Sequence, residues 1–163
     1  MNARLAIVVA LAAAVTLSSV AAAGHAAMKQ RVAINVKIFP QSRFVLSPLQ
    51  AGALKRDSGT ITGNWRSAPG RDVVRAGQTV GVYTNTWTLT GKRGTFTIRE
   101  RIEWVDVGDD WNGDGHDDSV AIGTWKVVRG TGEYAGITGS GGSGHAGLGS
   151  PWYARFEGFL TLP

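Results

Sequence analysis

Nine residues, Asp110-Trp111-Asn112-Gly113-Asp114-Gly115-His116-Asp117-Asp118, set an oxygen-bearing side chain at every second position and then turn the chain at a glycine. A hard divalent cation takes about six to eight oxygen ligands. Asp110, Asn112 and Asp114 can converge on such an ion while Gly115 permits the sharp bend, and the backbone carbonyl of His116 with the carboxylate of Asp118 would complete the shell. Six of the twelve acidic residues lie between Asp106 and Asp118, with no Lys or Arg among them. Crowded carboxylates repel one another unless a cation neutralises them, so calcium is the expected occupant. The alternative is a solvated Asn/Asp/Gly turn, since these residues populate turns without a metal.

A second candidate lies in the segment Thr95–Val107. Read as a strand, it puts Phe96, Ile98, Ile102 and Trp104 on one face with Glu100, and Arg99, Arg101 and Glu103 on the other. A carboxylate turned toward apolar surroundings is expected to have its pKa raised by desolvation, which would suit it to general acid or base work. The plainer reading is a Glu100 satisfied by an inward Arg or Tyr, or turned outward by a bulge. Trp87, Trp104, Trp125 and Trp152 fall on four separate strand-like segments. Their rings either wall a ligand cavity or fill a small barrel.

These residues need a scaffold of strands. Period-two alternation recurs after the first two dozen residues, and helical periodicity is nearly absent. Val32, Ile34, Val36 and Ile38 alternate with Arg31, Ala33, Asn35 and Lys37. Phe39–Asp57, with Pro40 and Pro48, reads as an irregular cover for one end. Ser58–Trp65 and Val73–Arg75 read as short strands around a Pro69-Gly70 turn. Thr79–Thr90, the turn Gly91-Lys92-Arg93-Gly94 and Thr95–Val107 form the strongest hairpin. Ser119–Arg129 and Trp152–Leu162 are further strands, and the glycines of Gly130–Gly149 read as bends and loops at one end. Short turns joining seven or eight strands predict an all-β domain, an eight-stranded antiparallel up-and-down barrel, whose closure leaves no exposed edge.

Met1 to about Ala23 has one early charge, Arg4, an apolar stretch and a run of alanines, which reads as a signal peptide cleaved after residue 23 or as late as 27. A single domain over 28–163, secreted to the periplasm or beyond, is the expectation. The chain has no Cys, so disulfides and lipidation through an N-terminal cysteine are excluded. Net charge is +5. Outside the acidic segment the expected mature chain carries an excess of about ten positive charges, a field that an anionic envelope surface would feel. The Lys and Arg residues are scattered, which disfavours nucleic acid. Gly139–Gly144 matches G-x-G-x-x-G only as text, because no helix follows to meet a phosphate. There is no G-x-S-x-G elbow and no cysteine nucleophile, so hydrolysis has no visible machinery.

The acidic segment is similar to the D-x-N-G-D-G-x-x-D calcium loop of integrin-type propeller repeats. It is not an EF-hand, whose twelfth position is a bidentate Glu where this chain has Ala121. No repeat of propeller length is apparent. Gly123-Thr124-Trp125, Gly130-Thr131-Gly132, Tyr134-Ala135-Gly136, Gly139-Ser140-Gly141 and Glu157-Gly158, with Thr86-Trp87-Thr88-Leu89-Thr90-Gly91 and Gly94-Thr95-Phe96-Thr97, resemble bacterial proteins with an allene oxide cyclase barrel-like domain, related in fold to plant dirigent proteins. The likeness runs from about Gly77 to the end. It implies an eight-stranded barrel with an apolar interior open at one end, which binds a hydrophobic or phenolic small molecule and, in the enzyme version, steers its cyclisation or isomerisation. It also implies that homo-oligomers can form. No short motif of the plant enzymes is matched, so no catalytic residue carries over. The reading from a different class is a non-catalytic, calcium-dependent extracellular or envelope protein that works through its outer surface.

Overall fold

The computed structural model describes residues 28–39, 41–108, 110, 113, 115, 118–147 and 151–163, with residues 65–69 described as backbone only. The expected signal peptide lies outside the described residues. Eight strands follow one another: β1 (Met28–Ile38), β2 (Arg43–Pro48), β3 (Asp57–Arg75), β4 (Gln78–Gly91), β5 (Gly94–Asp106), β6 (Ser119–Gly132), β7 (Thr138–Gly147) and β8 (Trp152–Leu162). Each pairs antiparallel with the next, and β8 returns to β1 with Met28 opposite Leu162 and Ile38 opposite Trp152, so the sheet closes on itself. The ring is complete, but β2 pairs with β3 only over Asp57–Thr60, so from Ile61 to Arg75 β3 is laddered to β4 alone.

Three local expectations need correction. Residues 39–57 are not wholly irregular, because Arg43–Pro48 forms β2 and sends Phe44 and Leu46 into the core. The chain does not reverse at Pro69-Gly70. It runs on as β3, with register shifts between Asn64 and Ala68 and between Ala68 and Arg71, and reverses at Ala76-Gly77. Proline lacks a ladder donor and is tolerated at such irregularities. Ala76 and Gly77 both have positive φ, 48° and 83°, as a tight two-residue hairpin turn requires.

The glycine-rich segment is a strand as well. β7 pairs with β6 from Ser119–Gly147 to Lys126–Ser140, and with β8 from Thr138–Thr161 to Ala146–Tyr153. Three of its glycines, Gly139, Gly141 and Gly147, are a packing requirement. A Cβ at Gly141 would run into the carbonyl of Glu157, and one at Gly147 into the Trp152 ring. The bare backbone lets the Trp125 indole reach over β7, where its Nε1–H donates to the carbonyls of Gly142 at 3.0 Å and Glu157 at 3.3 Å.

The start of β1 at Met28, the end of β8 at Leu162, the β2–β3 connection and the turns β4–β5 and β6–β7 gather at one end of the barrel. The β1–β2, β3–β4 and β7–β8 connections and the acidic loop between β5 and β6 gather at the other. The first end is closed. Phe44, Leu54, Phe96, Tyr134, Ile137 and Leu160 are buried there in one continuous core. The Gln30 amide ties down the β2–β3 connection, donating to Gln50 O at 2.8 Å and accepting from Leu54 N at 2.9 Å. Asp57 gathers the remaining turns. Its carboxylate accepts from the Tyr134 hydroxyl at 2.8 Å and from the backbone N–H groups of Ser58, Lys92 and Arg93 at 2.8, 3.1 and 3.3 Å. Burial and the Asp57 hydrogen bond push the Tyr134 hydroxyl well above its ordinary pKa. Replacing Tyr134 with Phe removes a donor to a buried carboxylate and is expected to cost about 1–3 kcal/mol, read as a lower urea midpoint at unchanged slope.

Candidate functional site

Strand alternation turns Asn85 and Trp87 of β4, Glu100 of β5 and His145 of β7 into the barrel. The register brings the first three together, with Asn85 opposite Glu100 and Trp87 opposite Ile98. His145 arrives from across β6. Its Nε2 stands 2.6 Å from Glu100 Oε1, while Trp87 Nε1–H and Asn85 Nδ2–H donate to Oε2 at 2.9 and 3.3 Å. The His145 and Glu100 side chains are 1% and 0% exposed, so this is a fully enclosed polar centre in an apolar core.

The sequence correctly places Glu100 inside, but the expected upward pKa shift is wrong. Burial does push the carboxyl up, yet the hydrogen bond and charge of His145, the nearby Ser143 hydroxyl and the Trp87 hydrogen bond outweigh it. The group sits below the ordinary 4.5 of a glutamate. An ionised carboxylate only accepts, so His145 Nε2 carries a proton and donates it. Nor is the partner the inward Arg or Tyr of the plainer reading. It is a histidine on a strand that gives no hydrophobic alternation to reveal it.

The four tryptophans divide into two pairs. Trp87 and Trp125 are 3% and 2% exposed and belong to the core. Trp104 and Trp152 are half-buried at the open end, where their rings stack with centroids 4.7 Å apart and an interplanar angle of 18°. Trp104 Nε1–H donates to Asp106 Oδ1 at 2.7 Å, which fixes the ring. A cleft of about 470 Å³ opens beside it, lined by Asp72, Thr79, Gly81, Tyr83, Trp104 and Asp106. Trp104, Ala121, His145 and Ala154 are successive cross-strand partners through β5, β6, β7 and β8. In that row a single small side chain, Ala121, stands between Trp104 at the mouth and His145 of the buried centre.

Of the expected calcium ligands, Asn112, Asp114 and His116 lie outside the described residues, as does Trp111. The ends of the loop are visible. Asp110 is exposed, and its Oδ2 accepts from Gly115 N at 2.7 Å. Asp118 is buried, and its carbonyl accepts from Val107 N at 2.9 Å. Gly113 and Gly115 have φ of 73° and 84°, the left-handed conformation that a chain coiling around a point demands. Among the described residues no three acidic or histidine side chains gather as a metal cluster. No helix among the described residues is long and apolar enough to cross a membrane.

No family model matches the chain, and no curated protein or solved structure matches it either.

Proposed function

We propose that this chain is an allene oxide cyclase/dirigent-like barrel that binds an apolar or phenolic small molecule at its open end, between the Trp104–Trp152 pair and Tyr83. The observation that carries the reading is the stacked, half-buried indole pair beside a cleft of about 470 Å³. Tyr83 and Trp104 give the cleft two aromatic walls, and Asp72, Thr79 and Asp106 give it polar groups that would suit an aromatic ligand bearing hydroxyls. The residue likeness to that family and the closed antiparallel barrel support it further. Any chemistry on the ligand would fall to His145 and Glu100, the cyclase or isomerase version of this function, with a proton moving through the imidazole. Native mass spectrometry of the protein purified from the cells that make it tests the reading. A retained apolar compound that is absent from the Trp104→Ala variant is expected. A bare chain that takes up no added aromatic compound contradicts it.

The acidic loop belongs to the same proposal as a structural calcium site on Asp110, Asn112, Asp114, the His116 carbonyl and Asp118, in a secreted protein where calcium is plentiful. A ligand bound only by the folded state stabilises it by about 2.7 kcal/mol at one hundred times Kd. The thermal midpoint is therefore expected to rise by about 8 °C between EGTA and saturating Ca²⁺. Asp114→Ala is expected to erase the rise, and a midpoint indifferent to both reagents would retire the metal.

One observation favours the second reading, a non-catalytic calcium-dependent envelope or matrix protein. Trp87 and Trp125 fill the interior, and Glu100 is sealed from solvent with its carboxylate already engaged. On that reading the outer surface makes the functional contacts.

A further inference from the structure

The outward face of β4–β7 concentrates positive charge in a way the barrel itself does not require. Arg99 of β5 and Lys126 of β6 are direct cross-strand partners, and Arg101 lies two residues along β5, opposite Thr124. Like charges directly opposed on neighbouring strands are destabilising. Neither Arg99 nor Lys126 has a carboxylate in ion-pair distance among the described residues, and the one near Arg101, Glu103 at 3.7 Å, is shared with Arg75. Some cations elsewhere on the surface are paired with carboxylates, as in Arg31–Glu157 at 3.3 Å and Arg93–Glu133 at 2.7 Å.

The three cations surround a trough of about 430 Å³ whose other walls carry hydroxyls, with Thr84, Arg99, Arg101, Thr124, Lys126 and Ser140 among its lining residues. The trough exists because β7 brings no bulk to it: Ser140 stands opposite Lys126, and Gly142 opposite Thr124. Guanidinium forks two residues apart on one strand face repeat at roughly 7 Å. Forks, an ammonium and neutral hydroxyl donors together fit tetrahedral oxyanions, which accept several charge-assisted hydrogen bonds at once.

We propose that this trough binds a chain of phosphate groups, laid along the strand direction over Arg99, Arg101 and Lys126. Its volume far exceeds that of a single phosphate, which selects a chain over a lone ion. Phe159, opposite Ser140, and Ile122, two residues along β6 from Thr124, are exposed on the same face, so the vesicle arm of the test below separates a soluble polyanion from an anionic membrane. This site is on the opposite side of the sheet from the buried centre and does not depend on the small-molecule reading.

Isothermal titration with linear polyphosphate at low salt tests it. Wild-type protein is expected to bind, with affinity falling steeply as NaCl is raised toward 0.5 M, on the order of full screening at these separations. Arg99→Ser/Lys126→Ser is expected to lose at least about tenfold in affinity and to keep or raise the thermal midpoint, because a repulsion is removed. Lys55→Ser/Arg56→Ser makes the same change in net charge on the distant, exposed β2–β3 connection and is expected to bind like wild type. Equal weakening by both double variants would reduce the effect to overall charge and overturn the site. Absence of polyphosphate binding would overturn it too, as would capture on phosphatidylglycerol vesicles without polyphosphate binding.

Discussion

Replacing Glu100 with Ala is expected to destabilise the barrel by about 3–5 kcal/mol, because several buried donors lose their shared acceptor at once. Three donors converge on this carboxylate from inside the core: His145 Nε2, Trp87 Nε1 and Asn85 Nδ2. Alanine would leave all three facing apolar groups, and each unsatisfied buried group costs about 1–3 kcal/mol. For a domain of this size the thermal midpoint is expected to fall by about 10–15 °C. Gln is isosteric but turns one acceptor into a donor, so it is expected to cost less than Ala and more than a surface substitution. Urea unfolding followed by tryptophan emission reads both variants. A loss below about 1 kcal/mol for Ala would mean that the enclosed network does not form in solution.

Acid is expected to unfold this protein over a window set by two carboxylates. Glu100 and Asp57 both have folded-state pKa values below their ordinary values of 4.5 and 3.8. For Asp57, burial raises the value, but the Tyr134 hydroxyl and the backbone donors of Ser58, Lys92 and Arg93 outweigh it. When the folded pKa is the lower one, the unfolded chain binds more protons in the interval between the two values. The stabilisation is therefore complete above the unfolded values and is lost as pH falls through the folded ones. Stability is expected to be level from neutral pH to about 5 and then to decline by up to about 1.4 kcal/mol per pH unit for each proton taken up. Glu100→Gln and Tyr134→Phe should each flatten part of that decline. Stability unchanged down to pH 3 would contradict both carboxylate assignments.

The parts of this structure that sequence reasoning reached are those where side-chain chemistry alternates. β1, the β4–β5 hairpin and β8 carry alternating apolar residues, and their bounds fall close to the expected ones. β7 does not alternate in hydrophobicity at all, because Thr138–Gly147 is almost entirely Gly and Ser. Its neighbours hold it as a strand, and the Trp152 ring claims the space of a side chain at Gly147 while the Glu157 carbonyl claims that at Gly141. Missing β7 meant missing His145, and with it the reason that Glu100 stays charged inside the core. A usable signal was present: an antiparallel ring needs an even number of strands, and a strand between β6 and β8 turns His145 to the same side as Ser143 and Gly141. The strand of each tryptophan is legible in the sequence, but position along the barrel decides its role, and that depends on register. Residue types and spacing alone do not say that Trp104 and Trp152 meet at the rim while Trp87 and Trp125 are buried separately in the core.

The central claim is that the open end takes an aromatic small molecule. Its most direct test is a titration of ¹⁵N-indole-labelled protein with 2-naphthol, followed by the tryptophan Nε1–H resonances. Binding is expected to move the Trp104 and Trp152 signals saturably, with smaller changes at the enclosed Trp87 and Trp125, and Trp104→Ala should abolish the saturation. Signals that stay fixed to the solubility limit of the compound, or shifts that survive Trp104→Ala unchanged, would contradict a ligand site at this mouth.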